Sequence, residues 1–218
     1  MRSTAVAAAL AACAVPMAAC SAPAPERGFT PAGVIADDPS SSGDAAGAGQ
    51  TPAVETIAAG PGLQVRIEWP AALEADQAGM VRAFGDSYAG QWKAVGSLGK
   101  DRSYLDGVED PASRDAYTWV DGFLRSRRSA RGVAELYALR VASVSGRGAE
   151  IDGCVDESGI RVVDRSGDEI AEQPSWTRAP ASVYFQAAAV RKGDDGAWRV
   201  KLFQHADYPD ERAKECVR

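Results

Sequence analysis

The sequence predicts an α+β domain in which two or three helices precede, and pack on, an antiparallel sheet of four to six strands. Three observations carry this. Apolar residues recur at spacings of three and four through the first half of the domain. From Val133 onward the period changes to two. Near the end, Gly193-Asp194-Asp195-Gly196 separates two apolar runs as a hairpin turn does. A sheet of that size must bury one face, and the helices are the elements available to cover it.

Taken in order, Leu63 to Trp69 reads as a short extended piece stopped by Pro70. Ala71 to Val95 reads as a helix carrying Leu73, Met80, Phe84, Tyr88, Trp92 and Val95 mostly on one face. Gly79, Gly85 and Gly90 weaken it in isolation, so tertiary packing must supply most of its stability. A short helix is a candidate at Arg102 to Val108. Asp110-Pro111 then reads as an N-cap followed by a first-turn proline. The helix it opens turns Ala112, Ala116, Trp119, Val120, Phe123 and Leu124 inward and ends near Arg128. Val133 to Val144 alternates only roughly, and Ser145-Gly146-Arg147-Gly148 turns it into Ala149 to Val155. Ile160 to Val163 is a short strand. Ser182 to Arg191 and Ala197 to Gln204 form the final hairpin.

The N-terminus has a different character. Arg2 heads an alanine-rich run from Ala5 to Ala19 that is too short and too poor in large aliphatics to span a bilayer permanently. It closes in Met17-Ala18-Ala19-Cys20-Ser21, which resembles the lipobox of bacterial lipoproteins. The resemblance implies a signal peptide over residues 1 to 19 and a new N-terminus at Cys20 bearing lipid on its sulfur. The partner would then be membrane lipid, and the location the extracytoplasmic face of the cell membrane. Leu10-Ala11-Ala12-Cys13 is a second such site, but cleavage there leaves a short apolar segment and three further cysteines. Cleavage at Cys20 leaves Cys154 and Cys216, an even count in an oxidising compartment, and these are expected to pair as a disulfide. The even cysteine count favours Cys20 over Cys13 as the lipidated residue.

Residues 21 to 62 are expected to be a disordered tether. Of these 42 residues, 30 are Gly, Ala, Pro, Ser or Thr, too few apolar groups to offset the entropy of ordering. The remaining residues, 63 to 218, suit one domain with a substantial core.

Composition excludes some functions. Loss of residues 1 to 19 removes Arg2 and no acid, leaving 23 basic and 30 acidic residues. A net charge of −7 opposes binding to nucleic acid, and no block of Lys and Arg offsets it. The densest basic run, Ser126 to Arg131, reads as a solvated helix end. Arg outnumbers Lys 19 to 5 and Asn is absent, a skew of GC-rich genomes.

Four segments carry a further likeness: Val65-Arg66-Ile67-Glu68-Trp69-Pro70, Ala149-Glu150-Ile151-Asp152-Gly153-Cys154-Val155-Asp156-Glu157-Ser158, Gly196-Ala197-Trp198-Arg199-Val200 and Ala213-Lys214-Glu215-Cys216. With the order of helices and strands, they resemble actinobacterial lipoproteins of unknown function with an NTF2-like domain. That resemblance implies a cone, a curved sheet wrapped round a helix with a central pocket. Its lining is expected from Phe84, Tyr88, Trp92, Trp119, Tyr137, Asp152 and Trp198. Enzymes of this fold, such as ketosteroid isomerase and SnoaL-type cyclases, use a buried carboxylate with tyrosine or acid donors. The matching candidates here are Asp152, Asp86 or Asp121 with Tyr88, Tyr117 or Tyr137.

No position matches an enzyme motif residue by residue, and each candidate has a plain structural reading as helix polar face, strand edge or core tyrosine. No catalytic residue is therefore assigned. His205 is the only histidine, and no Gly-x-Ser-x-Gly elbow accompanies it. No zinc or calcium pattern is present, so no metal or other cofactor is expected. Trp176, in the polar stretch Glu172 to Arg178, is expected to be exposed. Two functions stand: a lipid-tethered, non-catalytic module binding a small apolar ligand or an envelope protein, or an isomerase- or cyclase-like enzyme.

Overall fold

A computed structural model describes residues 52–218. The inferred signal peptide, Cys13, Cys20 and most of the expected tether lie outside the described residues. The tether ends earlier than expected, because β1 (Ala53–Gly60) pairs antiparallel with β2 (Leu63–Trp69) along most of its length. Composition hid this strand, since ladder hydrogen bonds need only backbone. The pairing nonetheless packs Ile57 and buries Ala59 against the core. Gly62, at φ 71°, takes the left-handed conformation that the tight connection requires.

Two helices follow, α1 (Gln77–Gly96) and α2 (Ala112–Arg125). Residues 71 to 76, expected to be helical, are irregular, and the candidate short helix shrinks to one turn at Ser103–Leu105. Helix α2 starts one residue later than the Asp110 cap implied, and Asp110 instead accepts the Ser113 hydroxyl. The chain then runs through β3 (Ser129–Ser145), β4 (Gly148–Asp156), β5 (Ile160–Val163), β6 (Val183–Lys192) and β7 (Trp198–Asp207), with a closing turn α3 (Glu211–Lys214).

The sheet order is β1-β2-β3-β4-β6-β7, with β5 beside the start of β3. The architecture is α+β with an open, mostly antiparallel sheet. The expectation of a purely antiparallel sheet fails at one place: β2 and β3 are parallel, joined by the crossover that holds both helices.

The main core lies between α1 and one face of this sheet, with Phe84, Trp92 and Val95 of the helix fully buried against Val65, Ile67, Leu136 and Ile151. Each such side chain contributes about 1.5–3 kcal/mol on leaving water. The helix glycines are the slots that make this possible. A Cβ on Gly79 would lie 2.9 Å from the Trp198 ring, on Gly85 2.4 Å from that of Trp69, and on Gly90 3.1 Å from Tyr104. On the sheet, Gly153 leaves room for Phe84 and Leu136.

The rough alternation in β3 has a physical cause. Ala134 and Leu136 face the core, then the register shifts between Tyr137 and Arg140, with Ala138 at φ 50°, so Leu139 and Val141 face it afterwards. The opposite face of the sheet holds a second, smaller cluster of Tyr137, Cys154, Phe185, Ala187, Ala206 and Cys216. Cys154 and Cys216 form a disulfide there, with Cα atoms 5.4 Å apart. The Tyr137 hydroxyl donates to the Cys216 carbonyl, and the Arg218 guanidinium lies 3.4 Å from the centre of its ring.

Beside β5, the Gln173 side chain accepts from the Val162 N–H at 2.8 Å and donates to the Val162 carbonyl at 2.9 Å. Trp176 follows in a short turn and is half-buried rather than exposed. Its ring lies 6.4 Å from that of Trp92 and 6.1 Å from that of Phe123, because their apolar faces together exclude more water than any would alone.

Candidate functional site

Strand periodicity builds the site. On β4 the residues facing α1 are Ala149, Ile151, Gly153 and Val155, and the next position in that stripe, just past the strand end, is Glu157. On β6 the same face reads Val190, Ala188, Gln186, Tyr184, and on β7 Phe203 and His205 stand beside them. The inner face thus turns polar toward one end. Helix α1 brings Tyr88, Gln91 and Trp92 there at spacings of three and four, and α2 adds Asp115, Ala116 and Trp119. Together they enclose a cavity of about 70 Å³.

Glu157 is buried at 4% exposure, and its Oε1 accepts hydrogen bonds from Tyr88 at 3.1 Å and Tyr184 at 3.2 Å. Burial lifts its carboxyl to about 7, against the two tyrosine hydrogen bonds and with the Asp156 charge adding to the rise. Burial and then the Glu157 charge push both tyrosine hydroxyls well above their ordinary range. Burial holds the His205 imidazole below its usual value, opposed by Asp207 and Asp115. Its ring is 5.8 Å from that of Tyr184. One wall group has no hydrogen-bond partner, the Gln186 side-chain carbonyl oxygen, on a residue 5% exposed; the Trp92 indole N–H, also buried, has only the Tyr88 hydroxyl near it, in poor hydrogen-bond geometry. A buried polar group without a partner is costly unless a ligand or water supplies one.

A second hollow of about 300 Å³ shares Trp119, walled by Phe123, Trp176, Pro174 and Val162, with Arg128 also on its lining. Trp119 belongs to both cavities, packing edge-on against Trp92 at 4.9 Å.

Of the residues expected to line a pocket, the structure brings Tyr88, Trp92 and Trp119 together. The other four lie elsewhere. Phe84 is core, packed toward Gly153. Tyr137 and Asp152 are on the opposite face of the sheet, where Asp152 takes a 2.8 Å ion pair from Arg140. Strand alternation explains this, since Asp152 and Cys154 share a parity that Ile151 and Val155 do not. Trp198 fills the Gly79 slot and borders a separate crevice with Asp86 and Lys93. Asp121 pairs with Arg125 at 2.6 Å on the α2 surface, and Tyr117 is 48% exposed.

Sequence reading missed Glu157, Tyr184 and Gln186, and set His205 aside. The signal for Glu157 was present: counting by twos from Ile151 along the core face ends on it. Among the described residues no three His, Cys, Asp or Glu side chains converge as metal ligands.

No protein-family model matches the chain, and no curated protein matches its sequence. Solved structures with some likeness include the intermembrane-space region of the chloroplast protein ARC6, at TM-score 0.44 and 12% identity over 62% of this chain and 98% of that one. A putative aromatic ring hydroxylase from Novosphingobium aromaticivorans gives TM-score 0.39 and 12% identity over 64% of this chain and 94% of that one. A protein from Catenulispora acidiphila gives 0.38 and 12% over 62% and 95%. None of these likenesses identifies a family or an activity.

Proposed function

We propose that this chain is an extracytoplasmic lipoprotein, anchored through acylated Cys20, whose NTF2-like domain is a non-catalytic module that binds a small ligand at the cell envelope. One observation carries the binding reading: the Gln186 side-chain oxygen stands unpartnered in the wall of one aromatic-lined cavity, an acceptor free for a ligand. The anchoring rests on Met17-Ala18-Ala19-Cys20 alone. One acyl chain binds membranes reversibly and two hold stably, so the number attached at Cys20 sets how firmly the domain is retained.

The test is complementation of a deletion strain's envelope phenotype alongside melting temperature. Gln186→Leu is expected to fold and fail to complement, whereas Asp152→Asn, altered on the other face of the sheet, complements. Full complementation by Gln186→Leu overturns the binding role. Fatty-acid probe labelling is expected to vanish in Cys20→Ala and persist in Cys13→Ala; the reverse moves the anchor to Cys13.

A second reading, proton transfer by an isomerase- or cyclase-like enzyme, is favoured by Glu157 at about 7 with two tyrosines on one oxygen. In it Glu157, not Asp152, is the base. A Glu157→Gln variant that binds ligand normally yet fails to complement would select this reading.

A further inference from the structure

The cavity walls have a composition that the fold does not require. Five of the side chains are aromatic, Tyr88, Trp92, Trp119, Tyr184 and Phe203, two are carboxylates, Asp115 and Glu157, and among the described residues none is Lys or Arg. Several other carboxylates that are partly or wholly buried have a guanidinium: Asp152 pairs with Arg140, Glu135 with Arg66, Glu68 with Arg218. Glu157, more buried than the last two, has only two neutral hydroxyls. A fully buried carboxylate without a counter-charge is expensive, and a glutamine would accept the same two hydrogen bonds without that cost.

Resting on the binding reading above, we infer that the cavity receives the protonated amine of a ligand whose apolar body lies over Trp119 in the adjoining aromatic hollow. Aromatic faces attract a cation, and more strongly once it is desolvated. Gln186 Oε1 accepts an ammonium N–H, and Glu157 supplies the compensating charge. The first cavity, at about 70 Å³, is headgroup-sized, while the 300 Å³ hollow that shares Trp119 has room for a ring. The chain's net charge of −6 draws cations toward it.

An ammonium group beside Glu157 favours the ionised carboxylate, so binding strengthens as pH rises through the free carboxyl's value near 7 and releases a proton below it. The groups facing Glu157 are Tyr88 on α1, Asp115 on α2, Asp156 on β4, Tyr184 on β6, and His205 and Asp207 on β7. Of these, His205 gains a positive charge at low pH and would act in the same direction, so it needs its own variant.

Benzylamine and its neutral isostere benzyl alcohol are the probes, titrated calorimetrically into the full chain at pH 6 and pH 8 in buffers of differing ionisation enthalpy. Benzylamine is expected to bind, about tenfold more tightly at pH 8 than at pH 6, with proton release at the lower pH; benzyl alcohol is expected to bind far more weakly. His205→Gln should keep most of that slope and Glu157→Gln should lose it. Trp119→Ala, altered at the rim, should weaken benzylamine with little change in melting temperature. Equal binding of both probes overturns the amine and leaves the binding module standing. If neither binds, the amine is overturned, and complementation by Gln186→Leu then decides whether the module falls with it.

Discussion

At the scale of single residues, Glu157 is where stability and function pull apart. Its carboxyl rises from an ordinary 4.5 to about 7 on folding, so the folded state holds a proton that the unfolded chain has lost between those values. Its contribution is therefore fully present below about 4.5 and is lost as pH climbs through 7. Glu157→Gln keeps an oxygen for Tyr88 and Tyr184 and carries no charge to desolvate. We expect it to raise stability at pH 8 by about 3 kcal/mol, and to flatten stability between pH 5 and 7, measured by urea unfolding. A wild-type curve that rises with pH over that window would refute the assignment. The residue was legible in principle, because the alternating stripe of β4 ends on it, but a stripe read as apolar stops at Val155. The tyrosines divided for a similar reason: Tyr88 lies on a helix face whose period points inward, whereas Tyr137 sits just before the β3 bulge, which no periodicity announces.

Among the elements, α1 shows how glycine can be worth more than alanine inside a helix. Propensity alone favours Gly85→Ala by about 1 kcal/mol. The added Cβ would meet the Trp69 ring at 2.4 Å, and that ring is also held by its 2.8 Å hydrogen bond to Glu55 and by Arg82 above it. Overpacking of this kind costs about 1–3 kcal/mol, so a net loss of stability is expected in thermal unfolding. A gain would mean that Trp69 moves aside freely. The helices and the last hairpin were readable because amphipathic period and turn chemistry are local. The parallel pairing of β2 with β3 was not, since partner choice and direction are fixed by contacts 69 residues apart, as between Leu63 and Gly132; β1, which pairs with its neighbour β2, was hidden instead by its small-residue composition.

For the whole molecule, the C-terminal residues close the structure on the face away from α1. The Cys154–Cys216 disulfide spans 62 residues, and its removal in a Cys154→Ala, Cys216→Ala pair is expected to cost about 4 kcal/mol in the chain-entropy picture. That loss should appear as a lower denaturant midpoint; no change on reduction would show that Tyr137, Phe185 and α3 hold the tail unaided. Cysteine counting anticipated this bond, whereas the packing around it came only with the fold. The short strand β5 raises a different matter, that of encounters between copies. A strand beside open solvent offers its backbone to any passing chain, and such offers begin aggregation. Here one amide side chain, Gln173, occupies both backbone positions of Val162, with the Ile170 N–H sharing the same carbonyl. A neighbouring molecule finds that rung of the ladder already taken, so crowding at a surface need not end in strand-to-strand polymerisation.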